Sequence, residues 1–146
     1  MIYFDDLYNK VLKNPAIKEG NTELSIITGF SSPSMVENHF VELKDYKINI
    51  NLIIGFGNIA SRNHRAYKLL MDRKYPEQFK CYYTNKKTKV HSKLYIWSNN
   101  NNYLGFAGSA NYSQEAFVKP RQKELMVKLN SDSCSNAYEY YKKIKE

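Results

Sequence analysis

The sequence predicts an α/β sandwich, a mixed sheet flanked by helices, with parallel strands first and an antiparallel hairpin after them. Three observations predict it. Ile48–Gly55, reading ININLIIG, is a near-continuous apolar run of the kind that a strand buried on both faces shows. Strand-like and helical patterns alternate through the first half of the chain, which lays parallel strands side by side under covering helices. In the second half, two β-rich stretches stand only a few polar residues apart, around Asn99–Asn102.

Taken in order, Met1–Lys13 is apolar at Ile2, Phe4, Leu7, Tyr8, Val11 and Leu12, a helical face that Asn14-Pro15 ends. Glu23–Thr28 is β-branched and apolar and stops at Gly29, a strand. Ser31-Ser32-Pro33 combines a capping hydroxyl with proline in a first turn, so a helix runs from Pro33 to Lys44, apolar at Met35, Val36, Phe40 and Leu43. Ile48–Gly55 is the next strand, broken by Gly55-Phe56-Gly57. Ser61 caps a helix over Arg62–Arg73 that turns Ala66, Leu69 and Leu70 to the sheet and Arg62, Arg65 and Lys68 outward. Tyr75-Pro76 ends it, Phe79–Tyr83 is a short strand, and Thr84–Lys89 is a basic turn. Val90–Trp97 and Tyr103–Ala107 form the hairpin around the loop Ser98–Asn102. After a break at Lys119-Pro120-Arg121, Lys123–Leu129 is a further strand, and Asp132 or Ser133 caps a last helix from Cys134 to Ile144.

His91 and Lys93 stand two apart in the first hairpin strand, a spacing that puts both on one face. The second strand leads into Gly108-Ser109-Ala110-Asn111, where small residues let the backbone approach a ligand and Asn111 can donate to it. A nucleophilic or acid/base His, a cationic Lys and an amide donor are what phosphoryl transfer needs without a metal. Spacing alone favours the plainer reading, a basic strand with a buried histidine.

His91-x-Lys93 followed by Gly108-Ser109-x-Asn111 resembles the signature of the phospholipase D superfamily, specifically its metal-independent nucleases, and the order of elements resembles that superfamily across nearly the whole chain. The resemblance implies a phospholipase D-like sandwich, with residues 1–146 as one catalytic domain. It implies that His91 attacks phosphorus to give a phosphohistidine and that Lys93 and Asn111 hold non-bridging oxygens. Glu124 then holds the tautomer of His91, with Ser109 in support. The family's usual Asp five residues after the Lys is Ser98 here, a position that is mainly structural in the superfamily. Within the superfamily, Thr28-Gly29-Phe30-Ser31 with Asn51-Leu52-Ile53-Ile54-Gly55 is most similar to the NgoFVII-type restriction endonucleases and the BfiI-like catalytic domain.

Composition agrees with a nucleic-acid partner. The chain carries 22 Lys and Arg against 14 Asp and Glu, a net charge of +8, the electrostatic footprint of a polyanion binder. Lys86, Lys87 and Lys89 precede the motif, and Arg121 and Lys123 lead into Glu124, so both clusters border a phosphate track and are candidate DNA contacts. Cys81 and Cys134 lie too far apart for a paired spacing, which excludes a disulfide framework and a zinc site and reads as two reduced thiols. His39, His64 and His91 lack metal-ligand spacing, so neither metal nor other cofactor is expected. There is no 18-residue apolar run and no apolar leader, which points away from membranes and to the cytoplasm.

The function expected is therefore a metal-independent DNA endonuclease, the catalytic domain of a restriction-type enzyme. Two rivals stand beside it: a non-catalytic DNA-binding module of the same fold, and a phosphodiesterase acting on lipid or small phosphodiesters. A phosphohistidine mechanism needs a second group to protonate the leaving oxygen, and neither His39 nor His64 has a neighbouring Lys and Gly-Ser-x-Asn. The expected partner besides DNA is thus a second copy of the chain, in a homodimer with the active site on its two-fold axis.

Overall fold

A computed structural model describes residues 1–56, 63–84, 90–119 and 123–145. The apolar runs form one seven-stranded mixed sheet, ordered β1-β7-β6-β5-β2-β3-β4. Its parallel part is β2 (Glu23–Thr28), β3 (Asn49–Ile54) and β4 (Phe79–Tyr83), with Leu24 beside Ile50 and Leu52 beside Cys81. The other edge of β2 takes β5 (Leu94–Asn99) antiparallel, and β6 (Asn102–Gly108), β7 (Met126–Lys128) and β1 (Ile2–Tyr3) continue antiparallel.

Helices cover both faces. On one lie α1 (Tyr8–Lys13 continuing as Asn14–Ile17), α2 (Pro33–Glu42), α3 (His64–Leu69 continuing as Leu70–Lys74) and the single turn α4 (Gln114–Phe117). They bury Leu12, Val36, Phe40, Tyr67 and Phe117 against Leu24, Ile26, Leu52, Tyr95 and Trp97. The opposite face carries α5 (Ser131–Lys145), whose Tyr141 packs with Ile27, Ile53, Val90, Leu94 and Ile96. Successive residues of β5 thus alternate between the two cores, as the pleat requires.

Several elements differ from the sequence expectations, each for a physical reason. The helical face ascribed to Met1–Lys13 begins only after Asp6, because Ile2 and Tyr3 pair with Val127 and Met126 and leave Phe4 exposed. Asn14-Pro15 does not end α1; the Asn14 N–H bonds back to Asn9 in a widened turn, and Pro15, having no N–H, sits in the first turn of the continuation. In α3 the residues turned inward are Tyr67 and Leu70, while Ala66 and Leu69 are exposed; Ser61 and Arg62 lie outside the described residues. The hairpin loop is tighter than expected: Ser98 pairs with Tyr103, Asn99 with Asn102, and Asn100 takes the left-handed conformation at φ 57°. The last helix starts at Ser131, capped by Asn130 Oδ1 accepting from the Ser133 N–H at 2.8 Å, not by Asp132 or Ser133. β1 and α4 were not expected from the sequence.

Candidate active site

Five chain connections converge at the end of the sheet where β2 and β3 finish and β5 begins. There Ile27 stands beside both Ile53 and Leu94, and Leu94 beside Ala107. Gly29-Phe30 follows β2, Gly55-Phe56 follows β3, His91–Lys93 precedes β5, Ser109–Asn111 follows β6, and Glu124-Leu125 precedes β7. Ends of parallel strands are where open α/β sheets place their sites.

The motif residues come just before β5, which starts at Leu94, so the strand does not include His91 and Lys93 as expected. Their direction is nonetheless set by the pleat. Val90 and Leu94 enter the α5 core, and the Ser92 hydroxyl lies 2.8 Å from the Tyr140 hydroxyl of α5, which leaves His91 and Lys93 to the opposite side with Tyr95. His91 is exposed and packs near-perpendicular to the Phe56 ring, with centroids 5.3 Å apart and planes at 82°. The ion pairs among the described residues do not involve Lys93.

Asn111 is oriented by the turn after β2. Its Oδ1 accepts from the Phe30 N–H at 3.3 Å and lies 3.0 Å from Thr28 Oγ1, whose proton also has the Phe30 carbonyl at 2.7 Å. Thr28 Oγ1 in turn accepts from the Tyr112 N–H at 3.0 Å. With its oxygen so engaged, the amide turns Nδ2 outward as a donor. Two buried phenols hold the turn from behind: Tyr95 donates to the Ala110 carbonyl at 2.6 Å, and the Tyr112 hydroxyl stands 2.7 Å from His39 Nδ1. Burial pushes both phenols well above their ordinary pKa, so they stay protonated donors.

Ser109 and Glu124 form a unit. The Ser109 hydroxyl donates to the Glu124 carboxylate and accepts from the Leu125 N–H at 2.9 Å, and the Ser109 N–H donates to the Leu125 carbonyl at 3.0 Å. Glu124 lies ahead of β7 and, among the described residues, its hydrogen bond is to Ser109 and not to His91. Gly108 has a different use from the expected approach to a ligand: a Cβ there would collide with the Leu125 carbonyl and lie 2.9 Å from Met126 Cα, so the missing side chain lets β7 close on β6. Of the basic candidates, Lys123 is exposed next to Glu124, whereas Lys86, Lys87, Lys89 and Arg121 lie outside the described residues. Among the described residues no group of three His, Cys, Asp or Glu stands together to hold a metal ion, and no helix is long and apolar enough to cross a membrane.

Sequence reasoning missed Thr28, Tyr112 and the pair Phe30 and Phe56 as parts of this site. A threonine at a strand end reads as a β-former, and its partner Asn111 is 83 residues away, so no local pattern joins them.

A family model described as the NgoFVII restriction endonuclease N-terminal PLD domain matches residues 5–146. The sequence matches none of the curated proteins. Among solved structures, NucT from Helicobacter pylori superposes with a TM-score of 0.63 at 16% identity, over 99% of this chain and 93% of that one. The phospholipase D family member Nuc from Salmonella typhimurium superposes with a TM-score of 0.60 at 15% identity, over 85% and 78%. The archaeal chromatin protein TrmBL2 does so with a TM-score of 0.57 at 8% identity, over 98% of this chain and 48% of that one. These likenesses establish the fold; one fold hosts many functions.

Proposed function

The chain belongs to the NgoFVII restriction endonuclease N-terminal PLD domain family, and from that premise we propose that it is a single catalytic domain that cleaves DNA without a metal, through a covalent phosphohistidine. The family makes it a nuclease, a hydrolase of phosphodiester bonds. The observation that carries the finer reading is the convergence of His91, Lys93 and the oriented Asn111 amide at one sheet end.

In this reading an imidazole nitrogen of His91 attacks phosphorus, a P–N bond forms, and the P–O bond to the leaving nucleotide breaks. A proton donor supplies the departing oxygen; water then attacks the phosphohistidine, gives up a proton to the same group and frees His91. Lys93 and Asn111 Nδ2 hold the non-bridging oxygens as charge grows on them, each donor worth roughly 3 kcal/mol at the transition state by comparison with oxyanion sites. Glu124, fixed by Ser109, supplies negative charge that steadies the imidazolium. Lys123, exposed beside Glu124, and, by their place in the sequence, Lys86, Lys87, Lys89 and Arg121 are the proposed contacts to the DNA backbone. The proton donor is His91 of the partner subunit, in a homodimer whose two-fold axis runs through the site. We place the enzyme in the cytoplasm, where Cys81 and Cys134, both free thiols, stay reduced.

Supercoiled plasmid incubated in EDTA tests the reading. Nicking or linearisation that matches the rate in magnesium is expected, with His91→Ala at least about a thousandfold slower. Because His91 is exposed, that variant keeps its fold. A strict requirement for added metal would overturn the mechanism, and binding without cleavage would leave the non-catalytic module.

A further inference from the structure

The side of the site nearest His91 is apolar and open. Phe30, on the turn after β2, is 38% exposed, and its ring stacks on Phe56, the centroids 4.7 Å apart and the planes within 5°. Phe56 in turn packs near-perpendicular to the His91 imidazole. Both rings are held by backbone belonging to the site: the Phe56 N–H donates to the Gly29 carbonyl at 3.1 Å, and the Phe30 N–H to Asn111 Oδ1 at 3.3 Å. Gly29 makes the arrangement possible, since a Cβ there would lie 3.0 Å from the Phe56 ring and 3.3 Å from His91 Cδ2.

The two near-parallel rings, Phe30 partly exposed and Phe56 half-buried, stand against the His91 imidazole and the turn that holds the Asn111 amide. A flat apolar surface beside a phosphate site fits the face of a nucleobase, because every base has a π-face and stacking on an aromatic side chain is largely indifferent to sequence. We propose that Phe30, backed by Phe56, is a stacking platform for the base next to the scissile phosphate. This rests on the reading of the site as a DNA phosphodiesterase and deepens it. A base inside a duplex has both faces covered by its neighbours, so the platform takes one that has left its stack, in a single strand, an unpaired stretch or a flipped nucleotide. His91 and Asn111 flank the turn that carries the platform, so a stacked base fixes the adjoining phosphate between them.

Fluorescence anisotropy with labelled oligothymidylate, beside an oligomer of the same length built from abasic deoxyribose units, isolates the base contribution at constant backbone charge. Phe30→Ala is expected to reduce the preference for the base-bearing strand over the abasic strand about tenfold. Phe30→Tyr, which keeps a ring, should restore it, and Phe30→Leu, which keeps apolar volume without one, should not. Restoration by Leu, or an equal loss on both strands, would overturn the platform. Sedimentation of the Ala and Leu variants adds an independent readout: conversion of a dimer into a monomer would assign the ring to chain pairing and overturn it likewise. The result is separable from the nuclease reading, since the preference is measured by binding. A protein that shows the Phe30 effect but cleaves nothing retains the platform and loses the nuclease reading, whereas one that cleaves DNA in EDTA with no Phe30 effect does the reverse.

Discussion

His39 shows how one residue type divides into structure and chemistry within a single chain. Its Nε2–H donates to the Leu12 carbonyl at 2.7 Å, so Nδ1 accepts from the Tyr112 hydroxyl at 2.7 Å, and the ring is fully buried. Burial, countered in part by the Leu12 carbonyl, pushes its pKa down to about 4. A neutral histidine so placed cannot donate a proton to a substrate, which removes it from catalysis and makes it a support for Tyr112 and the Asn111 turn. Its folded pKa lies below the unfolded value of about 6.5, so the unfolded chain binds the extra proton first. Stability from this group is therefore complete above pH 6.5 and falls as pH drops towards 4, by on the order of 3 kcal/mol in total. Urea unfolding at pH 7 and pH 4.5 should show a smaller pH-dependent loss for His39→Gln than for the parent protein; parallel losses would refute the assignment. Lys93→Ala belongs to the same scale. It should lower turnover on plasmid DNA by about a hundredfold or more while leaving the melting temperature close to the parent's, because Lys93 is half-buried and without an ion pair among the described residues. That His91, Lys93, Ser109 and Asn111 belong together was legible through their resemblance to a family signature, not through spacing alone, and the structure gathers them at one sheet end. What was not legible is Glu124 meeting Ser109, a contact decided by how β7 closes on β6.

At the scale of elements, legibility followed how local the cause of each element is. Glu23–Thr28 and Phe79–Tyr83 are strands with the bounds expected, because β-branched and aromatic runs there end at turn residues. Ser32 caps α2 through the Met35 N–H at 3.3 Å, as the Ser-Pro pair implied. The N-terminus was misread because Ile2 pairs with Val127, and no window of a dozen residues contains both. α4 was missed because a four-residue turn capped by Ser113 has too short a period to detect. Gly108→Ala tests the closure of β7: with backbone in the way of the new Cβ, it should cost about 1–3 kcal/mol and lower the melting temperature. A neutral effect would mean that β7 is free to move aside. The basic connections make a separate prediction. If Lys86 and Lys87 each neutralise a phosphate, their joint replacement by Ala should flatten the slope of log affinity against log salt by about 2 and weaken binding alike for every duplex sequence. An unchanged slope would return both to ordinary surface.

The whole molecule brings the proposed catalytic residues to one end of one sheet, and the proposed chemistry needs one group more, a proton donor. Ser98, which stands where the family's Asp is usual, lies beside Glu23 at the opposite end of β5, four residues or about 13 Å from the motif end. The missing proton donor is a different matter. His39 is buried and neutral. His64, at the start of α3, is exposed, with Nδ1 3.2 Å from the Tyr83 hydroxyl at the end of β4, beside the β3 end where the Val90 N–H meets the Gly55 carbonyl. In the proposed homodimer a second copy related by a two-fold axis supplies the other imidazole together with its own Lys93 and Asn111, and His64 is the alternative donor within the chain. Near the same end, Phe4 and Leu125 are 75% and 44% exposed, apolar area available to a neighbouring chain. Sedimentation should give a dimer. Mixing equal amounts of parent and His91→Ala chains and allowing exchange gives the sharper reading: if each site needs both histidines, only roughly a quarter of the dimers stay active, whereas independent sites would leave roughly half of the activity. A fully active monomer, or a mixture that holds at one half, would require the proton to come from within the chain and would turn attention to His64.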